Sequence, residues 1–278
     1  MNLIHSELLK IRTTNAWWLF GLGAMGMLGL AIALNMLNAH ILLDNTEEMV
    51  EGVPPEQAKQ LLAQAEVLNI AANLYTSGQF FGLLFVMLLG IVVVTSEFHH
   101  QTVTATFLTT PRRTAVILAK FVAAALFGVL LWWVTTAVNI PATMAFLRIK
   151  GLDHQLGEPE VVRAILLNLL AYLLWGILGV GFGVLIRSQI GATVTAVVLY
   201  LIGTTAASIL FTLLAQWLDA EWISKLQVIV PSIASNLMIT GTELPGSPPQ
   251  WVGAAVLIGW TVVTGAVGTL ILRQRDIA

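Results

Sequence analysis

The residues able to carry chemistry are few and poorly grouped. The histidines are His5, His40, the adjacent pair His99 and His100, and His154. None has the i,i+4 spacing or the HExxH pattern that sets two imidazoles on one helix face for a metal. Adjacent His99 and His100 point to different faces of a helix. No cysteine occurs, which removes disulfides, thiolate nucleophiles, iron–sulfur clusters and cysteine-type zinc sites. Nor does the sequence contain the GxxxxGK-Ser/Thr phosphate loop. The expectation is a chain without a catalytic residue, metal or cofactor of its own.

Hydroxyls and amides are the polar groups set among apolar residues. Thr193, Tyr200, Thr204, Ser208 and Thr212 are separated by 7, 4, 4 and 4 residues and share one stripe of a regular helix. With no His or Asp beside them to act as base, they suit two uses. They either line a polar pathway, or bond to their own preceding turn and to a neighbouring helix. Asn35, Asn38, Asn139 and Asn168 leave the same two alternatives. Gly179 and Gly183 form a small-xxx-small pair, which reads as close helix packing.

The elements that hold these residues follow from composition. The chain has 278 residues, 57% apolar and only 10% charged, with a mean hydropathy of +0.85. A soluble core would leave much of that apolar surface in water, at about 25 cal/mol per Å². Disorder needs the opposite composition. A membrane-spanning helix needs about 20 mostly apolar residues, and the stretches Ala16–Asn38, Phe80–Ser96, Phe121–Phe146, Ala164–Ile186, Ile190–Trp217 and Trp251–Leu272 qualify. None of them carries Asp, Glu, Lys, Arg or His. The fold expected is all-α: one transmembrane domain over residues 1–278, with spans at about 16–38, 78–96, 118–146, 164–186, 190–217 and 251–272. The first span reads as an uncleaved anchor, being longer than a signal peptide's apolar region.

Charge sets an orientation. The side holding both termini carries eight basic and three acidic residues, net +5, and the other five basic and twelve acidic, net -7. Lys and Arg are retained in the cytoplasm, so both termini are expected inside.

Outside the spans, residues 1–15 read as an interfacial helix, with Leu3, Ile4, Leu8, Leu9 and Ile11 among Glu7, Lys10 and Arg12. The outer loop 43–79 contains Pro54-Pro55 and then apolar residues at helical spacing, expected as an amphipathic helix running on into span two. The outer loop 219–250 holds an apolar stretch too short to cross, broken by Pro231, and reads as a re-entrant or surface-lying hairpin. The inner loop Glu97–Lys120 alternates locally like a strand over 102–107. An unpaired strand edge at a membrane is unfavourable, so a short helix ended by Pro111 is expected.

Three stretches in this order, SELLKIRTTNAWW at the start, SEFHHQTVTATFLTTPRRTAVILAK after span two and RQRDIA after span six, resemble the membrane (permease) subunit of ABC transporters of the type-2 exporter class, actinobacterial members especially. With the six-span layout and its two large outer loops, the resemblance covers essentially the whole chain. It implies a multi-pass permease of the cell membrane that pairs with a second permease chain, identical or paralogous. Separate cytoplasmic ATPase subunits would bind ATP and Mg and drive export. The N-terminal segment would be an elbow helix, and the 97–113 loop a coupling helix, with Glu97, Phe98, Phe107, Arg112 and Arg113 reaching the ATPase. Span five would line the pathway near the dimer axis, and 219–239 would form an outer re-entrant element.

Two rivals remain: a stand-alone carrier or channel, and a non-transport membrane subunit that docks an ATPase. The absence of carboxylates and histidines from the spans counts against proton coupling, and less against sodium coupling through carbonyls and hydroxyls. The apolar, Thr-bearing path suits an amphipathic drug, a lipid or a peptide alike.

Overall fold

The computed structural model describes residues 3–100, 113–186 and 188–274, the side chains of Arg113, Glu221, Leu272, Arg273 and Gln274 excepted. All regular structure in them is helical. Among the described residues six helical segments are long and apolar enough to cross a membrane: Ala16–Val50, Val67–His99, Thr114–Ile149, Pro159–Leu185, Gln189–Trp217 and Gln250–Ile271.

Helix α1 (Leu3–Thr13) precedes α2 (Ala16–Val50). The second helix runs well past the apolar stretch, through Asp44, Glu47 and Glu48, into what the sequence suggests is loop. Length beyond an apolar run costs a helix nothing where charged residues meet water. The outer segment forms α3 (Pro55–Ala65) and α4 (Val67–Tyr75), and α5 covers Gln79–His99. The expected continuous run into span two is broken at Glu66 and again at Gly78, whose φ of 78° needs glycine's freedom at the bend. Helix α6 (Arg113–Ile149) and α7 (Pro159–Leu185) complete the centre of the bundle. Next comes α8 (Gln189–Val198), a π-helical turn at Leu199–Gly203, and α9 (Thr204–Trp217). Helix α10 (Glu221–Lys225), a 3-10 turn at Leu226–Ile229 and α11 (Pro231–Met238) lead to α12 (Gln250–Gln274).

At the heart of the bundle α5, α6 and α7 pack on one another, and α12 lies on α7 and α11. Helices this apolar gain little from hydrophobic burial in lipid, so close backbone approach must hold them. A Cβ at Gly179 would come 2.3 Å from Met87 O, one at Gly183 3.0 Å from Ile91 O, and one at Gly90 2.6 Å from Gly176 O. The same closeness joins α6 to α7, where a Cβ at Gly128 would meet Tyr172 O at 2.5 Å. By contrast, α2 and the α8–α9 helix lie at the periphery and expose Leu22, Leu34, Ile202 and Leu213.

Candidate functional site

The first site is a cluster of alternating charges where α1 meets the ends of α5 and α6. Glu7 and Lys10 sit one turn apart on α1, with Lys10 Nζ 2.7 Å from Glu7 Oε1. Glu97, near the end of α5, accepts from Lys10 Nζ at 2.6 Å and from Lys120 Nζ at 2.7 Å through the same Oε1. Lys120, early in α6, reaches Glu7 Oε2 at 2.8 Å and Val93 O at 3.4 Å. Two carboxylates and two ammoniums thus neutralise one another. Glu7, Glu97 and Lys120 are 3%, 6% and 4% exposed, and Lys10 closes the cluster from the surface. Burial opposes the charge on Lys10, but the hydrogen bonds and charges of Glu7 and Glu97 outweigh it and hold its pKa above the usual lysine value. Charges this buried persist only when paired and hydrogen-bonded.

The cluster ties the N-terminal helix to both ends of the segment joining α5 and α6. Of the residues assigned above to an ATPase contact, Glu97 turns its carboxylate inward to these lysines. Phe98 is half-buried against the group formed by Val94, Ala124, Val180 and Val184. Arg113 begins α6, and Phe107 and Arg112 lie outside the described residues. The sequence places Glu7 and Lys10 on the interfacial helix, Glu97 at the expected ATPase contact and Lys120 at the end of the inner loop, and does not show that the four meet. The available signal was the Glu7–Lys10 spacing on a helix.

The second site is a chamber of about 170 Å³ in the bundle, walled by Met87, Trp175, Tyr200, Thr204, Ser232 and Trp260 among others. Tyr200 is buried; its hydroxyl donates to Phe80 O at 2.6 Å, and its ring meets those of Phe80 and Trp175 at 4.8 and 5.0 Å. Trp175 Nε1 donates to Ser235 Oγ at 2.8 Å, while the Thr204 and Ser232 hydroxyls are 2.6 Å apart. Ser232 and Ser235 both belong to α11, so these bonds dock α11 against α7 and the span-five helix.

Of the hydroxyl stripe, only Tyr200 and Thr204 reach the chamber. Thr193 bonds to Gln189 O at 2.9 Å and Thr212 to Ser208 O at 2.8 Å, each within its own helix, and Ser208 is half-buried. The π turn at Leu199–Gly203 divides the stripe. An i→i+5 turn takes in an extra residue and rotates the rest of the helix, which a count at 3.6 residues per turn does not anticipate.

The chamber is mostly apolar and holds no ionised group. It can seat an apolar or amphipathic molecule, or a mobile side chain. No group of three or more His, Asp or Glu residues able to hold a metal occurs among the described residues. Neither a known protein family nor a curated protein matches this chain.

Proposed function

We propose that this chain is the transmembrane permease subunit of an ATP-binding cassette exporter. In this reading it pairs with a second permease chain in the cell membrane, and separate ATPase subunits drive it. Both termini and the charge cluster face the cytoplasm, following the distribution of Lys and Arg. The observation that carries the reading is the cluster of Glu7, Lys10, Glu97 and Lys120. Anything that displaces the segment between Glu97 and Lys120 pulls on α1, α5 and α6 together. That is what a coupling element needs, because the free energy of ATP hydrolysis must arrive from outside a chain that has no phosphate loop.

In this mechanism the ATPase pair closes on ATP, the coupling segment moves, and α1, α5 and α6 shift as one body through the cluster. The α7–α11 contacts around Trp175 and Ser235 then transmit the shift to the chamber and the 219–239 element, which would act as the outer re-entrant gate. Glu97 is a positioning residue here, and Phe107, Arg112 and Arg113 are the residues left to touch the ATPase. The test is recovery of a P-loop ATPase with the tagged chain in mild detergent. A preparation with neither partner nor ATP hydrolysis would favour a stand-alone carrier.

A further inference from the structure

About 28 Å along α2 from its first residue Ala16, at 1.5 Å per residue, lies a cavity of about 350 Å³ lined by α2, α3, α4 and α11. That volume falls in the range of small-ligand sites. Its lining includes the carboxamides of Asn35, Asn38, Gln64, Asn69, Asn73 and Asn236, and no charged or aromatic side chain. The walls are tied in place. Asn69 donates to Thr242 Oγ1 at 2.6 Å and accepts from Thr242 N at 2.7 Å, and Asn35 donates to Ser77 Oγ at 2.9 Å. Gln250 holds Thr240 O at 2.9 Å.

Four of the amides behave differently. The side chains of Asn38, Gln64, Asn73 and Asn236 are exposed and make no hydrogen bond among the described residues. Each primary amide offers two donors and an acceptor oxygen with two lone pairs. Converging on one cavity from four helices, they form a neutral surface that both donates and accepts.

That chemistry selects its ligand. Without a carboxylate the cavity offers a cation only neutral oxygens, and without a basic group it offers an anion no counter-charge. Without an aromatic ring it lacks the usual platform for the apolar face of a sugar. Carboxamides pair donor-to-acceptor with peptide groups, and Leu42, Ile70 and Ile239 give aliphatic surface beside them. We propose that this cavity binds an uncharged stretch of peptide. Backbone amides pair with Asn38, Gln64, Asn73 and Asn236, and aliphatic side chains rest on Leu42, Ile70 and Ile239. The site belongs to this chain alone and does not depend on the ATPase assembly proposed above.

The test is calorimetric titration of the purified full chain, in a sugar-free detergent, with acetyl-Val-Ala-Val-amide. The same tripeptide with free termini, and maltose, serve as comparison probes. Saturable binding of the capped peptide is expected, with the free-termini peptide and maltose weaker. Asn73→Leu and Asn236→Leu, close in volume and without hydrogen-bonding groups, should each weaken binding about tenfold, the effect of roughly two lost hydrogen bonds. Because these amides bond to nothing in the fold, the variants should keep the parent's melting temperature. Asn236→Asp should reverse the preference, toward the peptide with a free amino terminus. No saturable binding, equal binding by the two leucine variants and the parent, or tighter binding of maltose would each overturn the proposal.

Discussion

Lys120 Nζ lies 2.7 Å from Glu97 Oε1 with both side chains buried, and these two residues bracket the segment that connects α5 to α6. Neither is neutralised by the other alone. Glu7 and Lys10 of α1 complete the balance, so the N-terminal helix becomes part of the base of that segment. An ion pair at this position ties the end of α5 to the first turns of α6.

Removing Lys120 should be far more costly than removing Lys10. Lys120→Met leaves two buried carboxylates with a single half-exposed partner, a change of about 3–5 kcal/mol for broken buried pairs. Lys10→Met, at 45% side-chain exposure, should cost about 1–2 kcal/mol, because water can reach the carboxylates that it leaves. Adding Glu97→Met to Lys120→Met should recover part of the loss, giving a non-additive cycle. Melting temperatures in detergent read all three. Losses below about 1 kcal/mol for both lysines would mean that the cluster does not hold the fold.

Gly179→Val should disrupt the bundle centre, because its Cβ would stand 2.3 Å from Met87 O. Overpacking of this kind costs about 1–3 kcal/mol, or more where backbone must move. Gly21→Val is the control, since nothing lies within 4 Å of a Cβ there. Melting midpoints should fall for the first and hold for the second.

Tyr200→Phe removes the hydroxyl that donates to Phe80 O while keeping the ring against Trp175. A loss of about 1 kcal/mol is expected. Thr193→Val and Thr212→Val lose only bonds within their own helix and should stay within about 0.5 kcal/mol of the parent. Thermal unfolding of the three variants separates wall from stripe. A larger effect at Thr193 or Thr212 than at Tyr200 would return the whole stripe to consideration as a pathway.

The six apolar stretches were readable because the bilayer imposes a length and a composition on each span. Helix ends were not, since Asp44 to Val50 continue α2 with no apolar signal, and the break at Gly78 is a matter of one backbone angle. The charge cluster was hidden by distance along the chain. Lys120 and Glu7 are 113 residues apart, Lys10 and Glu97 87, and a single charge beside a span reads as an orientation signal whatever it touches. The amide cavity was half visible. Asn35 and Asn38 stood out within an apolar stretch, but Gln64, Asn69, Asn73 and Asn236 reach it from an outer amphipathic helix and a hairpin whose packing on α2 has no local signal.

Phe107→Ala combined with Arg112→Ala should leave the melting temperature near the parent's and lower recovery of the ATPase about tenfold, on the reading that these side chains lie in the contact rather than the fold. Co-purification under one detergent condition measures it. Unchanged recovery would move the contact elsewhere on the chain.

In the proposed assembly an external ATPase drives this chain. Isolation of the tagged chain from its own host in mild detergent, with identification of the proteins that co-purify and an assay of ATP hydrolysis, decides this. A stoichiometric soluble subunit carrying a P-loop and active in ATP hydrolysis is expected, and its ratio to this chain gives the pairing. A pure chain with no such subunit and no ATPase activity would rule the proposed assembly out.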